Sequence, residues 1–432
     1  MVIDFNECGT ETSRKKILHE LQKLQILLRV CKDLSYLSFK RYEYASSLLN
    51  EISGAIADAE SGGGKMACAD LYGELCSFRN LELAYRKARK GKRSKKAVQE
   101  FEFNLEENLL QLKRELEDGS YQPHPLRQFV VMDPKTRVIS ASHFRDRVVH
   151  HALCNIIQPV FERTFIDDSY ANRVGKGTRK ALDRFDRFKR KVGKNGRIVN
   201  GAKDDNMVVG YILKADIRHY FDTVDHDVLM GLIGRRISDE RILALVRKIL
   251  KNHVTDSPGK GMPIGNLTSQ FFANLYLNEL DYFVKHQLRA GFYIRYVDDF
   301  VIMHNSEKIL LQWKRQIASF LETLKLELHP EKSKVYPLHN GVNFLGCRVF
   351  YHHKLLKKSN LMAIENRLVE FKKSYDRNET TYEKIMQSLE SWMAYARHAN
   401  TYKLRKDIMQ QFDSAFNAHL ENPTKPNIMQ VT

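Results

Sequence analysis

Two adjacent carboxylates, Asp298 and Asp299, stand inside the strand-like stretch FYIRYVDDFVIMHN, and a third, Asp216, ends the strand-like stretch YILKAD. If these strands lie side by side, three negative charges converge at one end of a sheet and repel one another unless a divalent cation neutralises them. Magnesium suits such hard oxygen ligands and leaves coordination positions open for phosphate groups and water. Two ions roughly 3.5–4 Å apart would assist an in-line displacement at phosphorus, so the cluster predicts nucleotidyl transfer. The simpler alternative is an ordinary Asp-Asp turn in a hairpin.

Composition and charge favour a folded protein with a polyanionic partner. The 432 residues are 43% hydrophobic, so the chain can bury a large core, and its length suggests about two to four structural units. The net charge of +18 favours nucleic acid or an anionic membrane, against the simpler interpretation of a generally basic surface. No apolar run of about 18 residues and no secretory signal pattern is present, which predicts a cytoplasmic protein. The six cysteines form no CxxC pair, so we expect reduced, mostly buried thiols.

Periodicity sets residues 1–62 apart from the rest of the chain. Two amphipathic stripes at helical spacing, joined by the short connection DLSYLS, predict an antiparallel helical hairpin. Such a hairpin cannot bury both of its apolar stripes, so it must pack on the rest of the chain, on another copy or on a partner. The stretch ESGGGK then reads as a flexible linker. Because residues 1–62 carry 8 Lys/Arg against 9 Asp/Glu, the positive excess lies in residues 63–432.

The remaining chain mixes both kinds of secondary structure. From residue 205 onward, period-2 strand patterns interleave with helical patterns, and beyond residue 360 the periodicity is wholly helical. We therefore predict an α+β core followed by a helical C-terminal unit. Two basic clusters precede it, RKARKGKRSKK and RFDRFKRKVGKNGR. Each is either a solvated helix face or a segment that contacts phosphates.

The motifs around the carboxylates resemble, in order and spacing, those of the reverse transcriptase family. LKADIRHYFDTVDHDVL resembles motif A, GKGMPIGNLTSQFFANLYLNELD motif B, YVDDF motif C, LELHPEKSKV motif D and NFLGCRVF motif E. Upstream, MDPKTRVISASHFRDRVVHHAL is similar to the fingers segment, and DSYANRVGKGTRKAL to the element that follows it in bacterial members. The resemblance covers roughly residues 75 to 400. It implies an RNA-directed DNA polymerase that uses a template RNA, an RNA–DNA or RNA primer–template duplex and dNTPs.

The resemblance also implies a domain order, that of a right-hand polymerase. Four regions are expected: a helical hairpin in 1–62, a basic extension and fingers in 63–205, a palm in 206–350, and a helical thumb and tail in 351–432. At the palm, the resemblance implies catalytic carboxylates at Asp216, Asp298 and Asp299. These residues together with Ile217 are the implied ligands of two Mg²⁺ ions, for which Mn²⁺ is an alternative.

Further residues are implied to bind the incoming nucleotide. Arg137, and with less support Lys135, would contact its phosphates, although either residue could instead be a surface charge. Phe221, five positions after the motif A aspartate, would exclude a 2′-hydroxyl or is simply part of the core. Lys332 matches the lysine of motif D that protonates the departing pyrophosphate, or is a solvated lysine.

Motif B narrows the resemblance further. Gly265 would let the backbone approach the nascent base pair, and the flanking Ile264 and Gln270 resemble the IGNLTSQ form found in diversity-generating retroelements. These enzymes make cDNA that is misincorporated mainly opposite adenines, and the cDNA diversifies a target gene. Residues 1–62 are similar to half of the accessory four-helix-bundle protein of these systems, so either that protein or self-association is expected. The alternatives are a defence-associated reverse transcriptase that acts on its own noncoding RNA and a non-catalytic RNA-binding scaffold.

Overall fold

The structure is a computed structural model that describes residues 23–24, 70–132, 136–201, 207–255 and 257–416. The predicted hairpin in residues 1–62, apart from residues 23 and 24, lies outside the described residues, and so does Lys135. Contacts divide the chain into two units, Met1–Leu71 and Tyr72–Thr432. The second unit contains the strands and the aspartates on which the function depends.

Helices dominate both ends of the second unit. Before the first strand, the helices are α1 Leu71–Cys76, α2 Phe78–Arg89, α3 Lys96–Phe103 and α4 Leu105–Glu117. Between strands, they are α5 Phe144–Glu162, α6 Thr178–Val192, α7 Tyr220–Thr223, α8 His226–Gly234, α9 Glu240–Lys251, α10 Leu267–Tyr282 and α11 Glu307–Thr323. After the last strand come α12 Lys358–Asp376, α13 Tyr382–Ala396 and α14 Tyr402–Phe416.

The described strands form three antiparallel sheets. The strands are β1 Arg127–Val131, β2 Arg137–Ala141, β3 Tyr211–Asp216, β4 Tyr293–Tyr296, β5 Asp299–His304, β6 Lys334–Pro337, β7 Val342–Phe344, β8 Cys347–Val349 and β9 Lys354–Leu356. The central sheet has the order β4-β5-β3-β6, while β1-β2 is a separate hairpin and β7-β8-β9 a small third sheet. The mixture of helices and strands that the sequence predicts is confirmed.

The central sheet is buried because helices pack against it. In β5, four successive residues, Phe300 to Met303, are almost completely buried, as expected for a strand that is covered on both faces. Helix α6 contributes Phe185 and Phe188 to the cluster that contains Val301 and Met303. Helix α11 packs on β3 and β5 as well. These helices therefore fix the strands whose ends carry the three aspartates.

The C-terminal helices have a core of their own. Helices α12, α13 and α14 bury a cluster of apolar side chains, namely Ile364, Leu368, Ile385, Leu389, Ile408, Phe412 and Phe416. Trp392 packs against this cluster and also against the cluster next to the central sheet. The helical unit is thus joined to the sheet through a shared aromatic side chain.

Three details differ from the simplest sequence pattern. The apolar pattern of the sequence extends back to MVVG at residues 207–210, but the strand begins only at Tyr211, because Gly210 has φ +114°, outside the extended region. The long helix after motif B ends at Tyr282 and continues as one π-helical segment, Phe283–Gln287. Strand β9 pairs with β8 and extends the β7-β8 hairpin to three strands.

Two other expectations concern the cysteines and the membrane. Cys76, Cys154 and Cys347 are free and buried, as predicted, whereas the other three cysteines lie outside the described residues. Within the described part of the chain, the helices are too short or too polar to cross a bilayer.

Gly210 provides a test of the packing around the central sheet. A Cβ atom at Gly210 would lie 2.7 Å from Leu338 Cδ1 and 2.9 Å from Val192 Cγ1, in a left-handed backbone conformation. We expect Gly210→Ala to lower the free energy of unfolding by about 1–3 kcal/mol. Gly231→Ala, in helix α8, is the control, because its Cβ would meet nothing within 4 Å. Inside a helix, alanine is more stable than glycine by about 0.5–1 kcal/mol. Urea denaturation of both variants measures the difference, and equal destabilisation would contradict this description.

Candidate active site

Antiparallel pairing of β3 with β5 brings the three aspartates to one end of the central sheet. Asp216 lies directly opposite Asp299 in the register, and directly paired residues project from the same face. The N–H of Ile217 donates to the C=O of Asp298 at 3.2 Å. The register of the sheet therefore brings the aspartates of motif A and motif C next to one another.

The turn between β4 and β5 is short and strained. Tyr296 pairs with Asp299, so Val297 and Asp298 are the two central residues of the hairpin turn. Val297 has φ +57°, in the left-handed region that a β-branched residue rarely adopts. Such a conformation costs about 1–3 kcal/mol and persists only where the surrounding structure determines it. The position of Asp298 thus depends on contacts that fix the turn.

Burial and like charge raise the pKa values of the motif C carboxyls. For Asp298, burial raises the pKa first and the charge of Asp216 second. Burial also raises the pKa of Asp299 to about 6, against the opposing effect of the Lys214 ammonium, whose Nζ lies 2.9 Å from Asp299 Oδ1. The ionised forms of both carboxyls are therefore disfavoured mainly because water is excluded from them.

A divalent cation fits this donor set. The carboxylates of Asp216, Asp298 and Asp299 are hard oxygen ligands, and Ile217 can add only its main-chain carbonyl oxygen, because its side chain is apolar and buried. Burial, and after it the neighbouring carboxylates, raises the pKa values of the two motif C carboxyls, so a bound cation would stabilise their ionised forms. The choice of magnesium in particular belongs to the proposal below.

Two of the basic residues predicted to act on phosphates lie near the carboxylates. Lys332 Nζ is 3.4 Å from Asp216 Oδ1 and remains half-exposed. Arg137 is exposed at the start of β2, and its charge lowers the pKa of Asp298, as does that of Lys332. Both cations are therefore placed to meet a polyphosphate that approaches the carboxylates.

The motif B loop is fixed between β2 and motif A. The C=O of Ile264 accepts a hydrogen bond from the N–H of Ser140 at 3.1 Å. Gly265 has φ +114°, and a Cβ there would lie 2.9 Å from Ile139 Cγ2, so this close approach requires glycine. On the other side, the C=O of Phe221 accepts from the N–H of Met262 at 2.7 Å. Main-chain hydrogen bonds thus place the motif B loop, with Ile264 and Gly265, next to Phe221 of motif A.

Two further residues that were predicted to contact the nucleotide, Gln270 of motif B and Phe221 of motif A, have less distinctive surroundings. Gln270 lies in the first turn of α10 and is partly buried, and its N–H donates to the C=O of Asn266 at 3.3 Å. The side chain of Phe221 is also only partly buried, so it is not a simple core residue. Neither contact assigns a role toward a nucleotide.

The described residues contain another group of possible metal ligands, which the sequence motifs do not predict. Side-chain ligand atoms of His124, His143 and Asp146 all lie within 4.8 Å of one another. The Asp146 carboxylate already accepts hydrogen bonds from the Tyr121 hydroxyl at 2.9 Å and from the main-chain N–H of His124 at 3.0 Å. The two imidazole rings are in contact, with centroids 4.6 Å apart and an interplanar angle of 31°. These contacts account for the cluster without an ion.

Residues 132–349, half of the chain, match the family model described as "Reverse transcriptase (RNA-dependent DNA polymerase)". The chain belongs to the reverse transcriptase family. The predicted enzyme class, RNA-directed DNA polymerase, is therefore confirmed. The region matched contains β2, the central sheet, the motif B loop and all three aspartates.

Curated relatives of this reverse transcriptase include two bacterial proteins. It is 27% identical over 288 residues to "Protein YkfC" of Escherichia coli (strain K12), covering 57% of this chain and 71% of that protein. It is 26% identical over 313 residues to "Group II intron-encoded protein LtrA" of Lactococcus lactis subsp. cremoris, covering 56% of this chain and 49% of that protein. The chain thus spans only about half the length of LtrA. The relatives support the family and leave the diversity-generating type as a prediction.

Among solved structures, this reverse transcriptase is similar to the telomerase from Candida albicans in complex with a TWJ fragment of telomeric RNA. The TM-score is 0.45 and the sequence identity 13%, over 70% of this chain and 55% of that one. The apo telomerase from Candida tropicalis gives a TM-score of 0.44 at 12% identity, over 69% of this chain and 59% of that one.

The raised pKa of Asp299 predicts how metal binding depends on pH. Below about 6 this carboxyl is protonated and loses its charge, so a divalent ion must displace the proton. If one proton is displaced, the apparent dissociation constant for Mn²⁺ rises by about tenfold for each pH unit below that value. Electron paramagnetic resonance of free Mn²⁺ measures this dissociation constant as the pH is lowered through about 6. A midpoint near 3.8, the ordinary aspartate value, would contradict the prediction.

Proposed function

We propose that this reverse transcriptase copies a retroelement template RNA into cDNA, with misincorporation opposite adenine that diversifies a target gene. The observation that carries the polymerase part is the register of β3 and β5, which pairs Asp216 with Asp299 and sets Asp298 beside them. The excess of basic residues, +18 over the whole chain, supports nucleic acid as the partner. The motif B sequence supports the mutagenic part.

Each group near the carboxylates has a role in this proposal. Asp216 and Asp298, with Asp299 and the Ile217 carbonyl, bind two Mg²⁺ or Mn²⁺ ions, which when bound supply electrostatic stabilisation for the attacking and leaving oxygens. Lys332 protonates the departing pyrophosphate.

Residues of β2 and motif A complete the nucleotide site. Arg137 contacts the triphosphate, and Lys135 is proposed to assist although it lies outside the described residues. Phe221, held against the motif B loop, blocks the 2′-hydroxyl of a ribonucleotide. Gly265 and Gln270 border the nascent base pair.

Primer extension on an RNA template with Mg²⁺ tests the polymerase proposal. We expect Asp298→Asn to lower the rate by roughly 10³-fold, about 4 kcal/mol in the barrier, because a ligand and its charge are lost. Asp222→Asn is the control, since that acid lies nearby in sequence but its side chain is largely exposed, with the His219 imidazole 3.7 Å away. Equal extension rates for Asp298→Asn and the control would exclude catalysis by this cluster, whereas no extension by the unmodified protein would favour an RNA-binding scaffold.

Ile264 supports the mutagenic proposal through its position. Its main chain is fixed by Ser140 and its side chain is only partly buried, at the end of the loop that leads to Gly265. An aliphatic side chain beside the nascent pair offers no hydrogen bond that could fix substrate geometry. Discrimination against mispairs weakens as a result.

Sequencing of cDNA made on an adenine-containing template tests this point. We expect Ile264→Gln to lower misincorporation opposite adenine by about tenfold, while errors opposite the other bases change little. Ile264→Leu keeps the side chain aliphatic and is the matched control, for which the error spectrum should stay that of the original enzyme. An unchanged spectrum in Ile264→Gln would show that fidelity is set elsewhere.

Residues outside the polymerase motifs supply the proposed partners. Template RNA contacts the basic run at residues 86–96, where Arg93 and Lys95 are exposed in the connection between α2 and α3. Residues 1–62 are proposed to recruit an accessory four-helix-bundle protein or to self-associate. The four-part division at residues 62, 205 and 350 likewise remains a proposal, as do the right-hand arrangement and the cytoplasmic location.

A second candidate is a reverse transcriptase that copies its own noncoding RNA, as in antiphage defence. This chain is similar to LtrA, whose name describes it as encoded by a group II intron. Related catalytic motifs therefore occur in more than one kind of element, which supports the second candidate. The cDNA sequence distinguishes the two. Adenine-directed substitutions support the first candidate, and faithful copies support the second.

A further inference from the structure

An ion pair that the catalytic mechanism does not use lies beneath the carboxylates. The Arg295 guanidinium in β4 donates from Nε to Asp281 Oδ1 at 2.7 Å and from Nη2 to Asp281 Oδ2 at 2.6 Å. Both side chains are 0% exposed. The Tyr293 hydroxyl donates to the same carboxylate at 2.7 Å. Because apolar side chains often replace a buried ion pair without loss of stability, stability alone does not account for this pair.

The remaining nitrogen of Arg295 points to a further role. Its Nη1 donates to the C=O of Val297 at 3.2 Å, and to Asn274 Oδ1 at the same distance. Val297 is the strained residue of the turn, at φ +57°. The next carbonyl, that of Asp298, accepts from the N–H of Ile217. Both carbonyls at the centre of the turn are therefore held by groups outside it.

The same network extends to two other segments of the chain. Asp281 and Asn274 belong to α10, the helix that follows the motif B loop. Asn274 Nδ2 donates to the C=O of Ala171 at 2.8 Å, and the main chain of Arg295 exchanges hydrogen bonds with Asp168 and Tyr170, each at 3.0 Å. The catalytic turn is thus tied through Arg295 to the helix of motif B and to residues 168–171.

We propose that Arg295 is a positioning residue: its guanidinium, fixed by Asp281, holds the strained Val297–Asp298 turn so that the Asp298 carboxylate can share a metal ion with Asp216. This inference rests on the proposed metal-dependent function of the same site. A planar guanidinium can bind one carboxylate with two nitrogens and a carbonyl with the third, whereas an ammonium group cannot reproduce that geometry. The requirement is therefore for arginine and not merely for positive charge.

Mn²⁺ binding and primer extension by Arg295→Lys test the proposal. Electron paramagnetic resonance of free Mn²⁺ reads the carboxylate cluster without relying on activity. We expect the dissociation constant for Mn²⁺ to rise, and the extension rate to fall, by about 10–100-fold, the usual effect of losing a group that orients a metal ligand. Lys354→Met is the control, because it breaks the partly buried Lys354–Asp186 pair, which joins β9 to α6 and does not involve the turn. It should lower the melting temperature and leave Mn²⁺ binding unchanged.

A double variant covers the case in which Arg295→Lys does not fold. Arg295→Met with Asp281→Leu removes both buried charges together, so the fold should persist while the support of the turn is lost. Wild-type Mn²⁺ affinity in either folded variant would overturn the proposal. If the unmodified protein binds Mn²⁺ through Asp298 but extends no primer, the proposed function fails and the Mn²⁺ titration still decides the role of Arg295.

Discussion

Repulsion among three carboxylates at the end of one sheet is the constraint on which the rest of the structure depends. The register of β3 and β5 brings Asp216 and Asp299 together, and burial first, with like charge second to it, raises the pKa values of both motif C carboxyls. Such a cluster lowers the stability of a protein unless a rigid scaffold surrounds it. Helices α6 and α11, which pack against the sheet, supply that scaffold.

Two further costs accompany this cluster. Val297 adopts a backbone conformation that its branched side chain disfavours, and Arg295 with Asp281 buries a complete ion pair. Both occur within a few residues of Asp298, and both are connected through the Val297 carbonyl. Their concentration at one turn indicates that accuracy of placement matters more here than local stability does.

Much of this arrangement could be predicted from the sequence. The strand periods around Asp216 and Asp298, together with the ordered motifs, predict that the carboxylates converge, and the mixture of helices and strands follows from the same periodicity. The Arg295–Asp281 pair could not be predicted, because a charged residue in a strand pattern is normally interpreted as exposed, and no local period connects it to a helix 14 residues earlier.

The backbone details were equally beyond the sequence. A valine within a run of β-branched residues predicts an extended conformation, yet Val297 is left-handed because the two-residue turn requires it. The late start of β3 at Tyr211 depends on Gly210, whose neighbours Leu338 and Val192 come from distant segments. In each instance tertiary packing overrides a local preference.

The pairing of β4 with β5 across a two-residue turn has a consequence for the evolution of this chain. Side chains alternate between the faces of a strand, so inserting or deleting a single residue before Asp299 would turn that carboxylate toward the opposite side. Substitutions in the hairpin are thus tolerated more readily than changes in its length. Insertions and deletions should accumulate in the connections between elements. The hairpin can therefore serve as a fixed reference when the sequences of such enzymes are aligned.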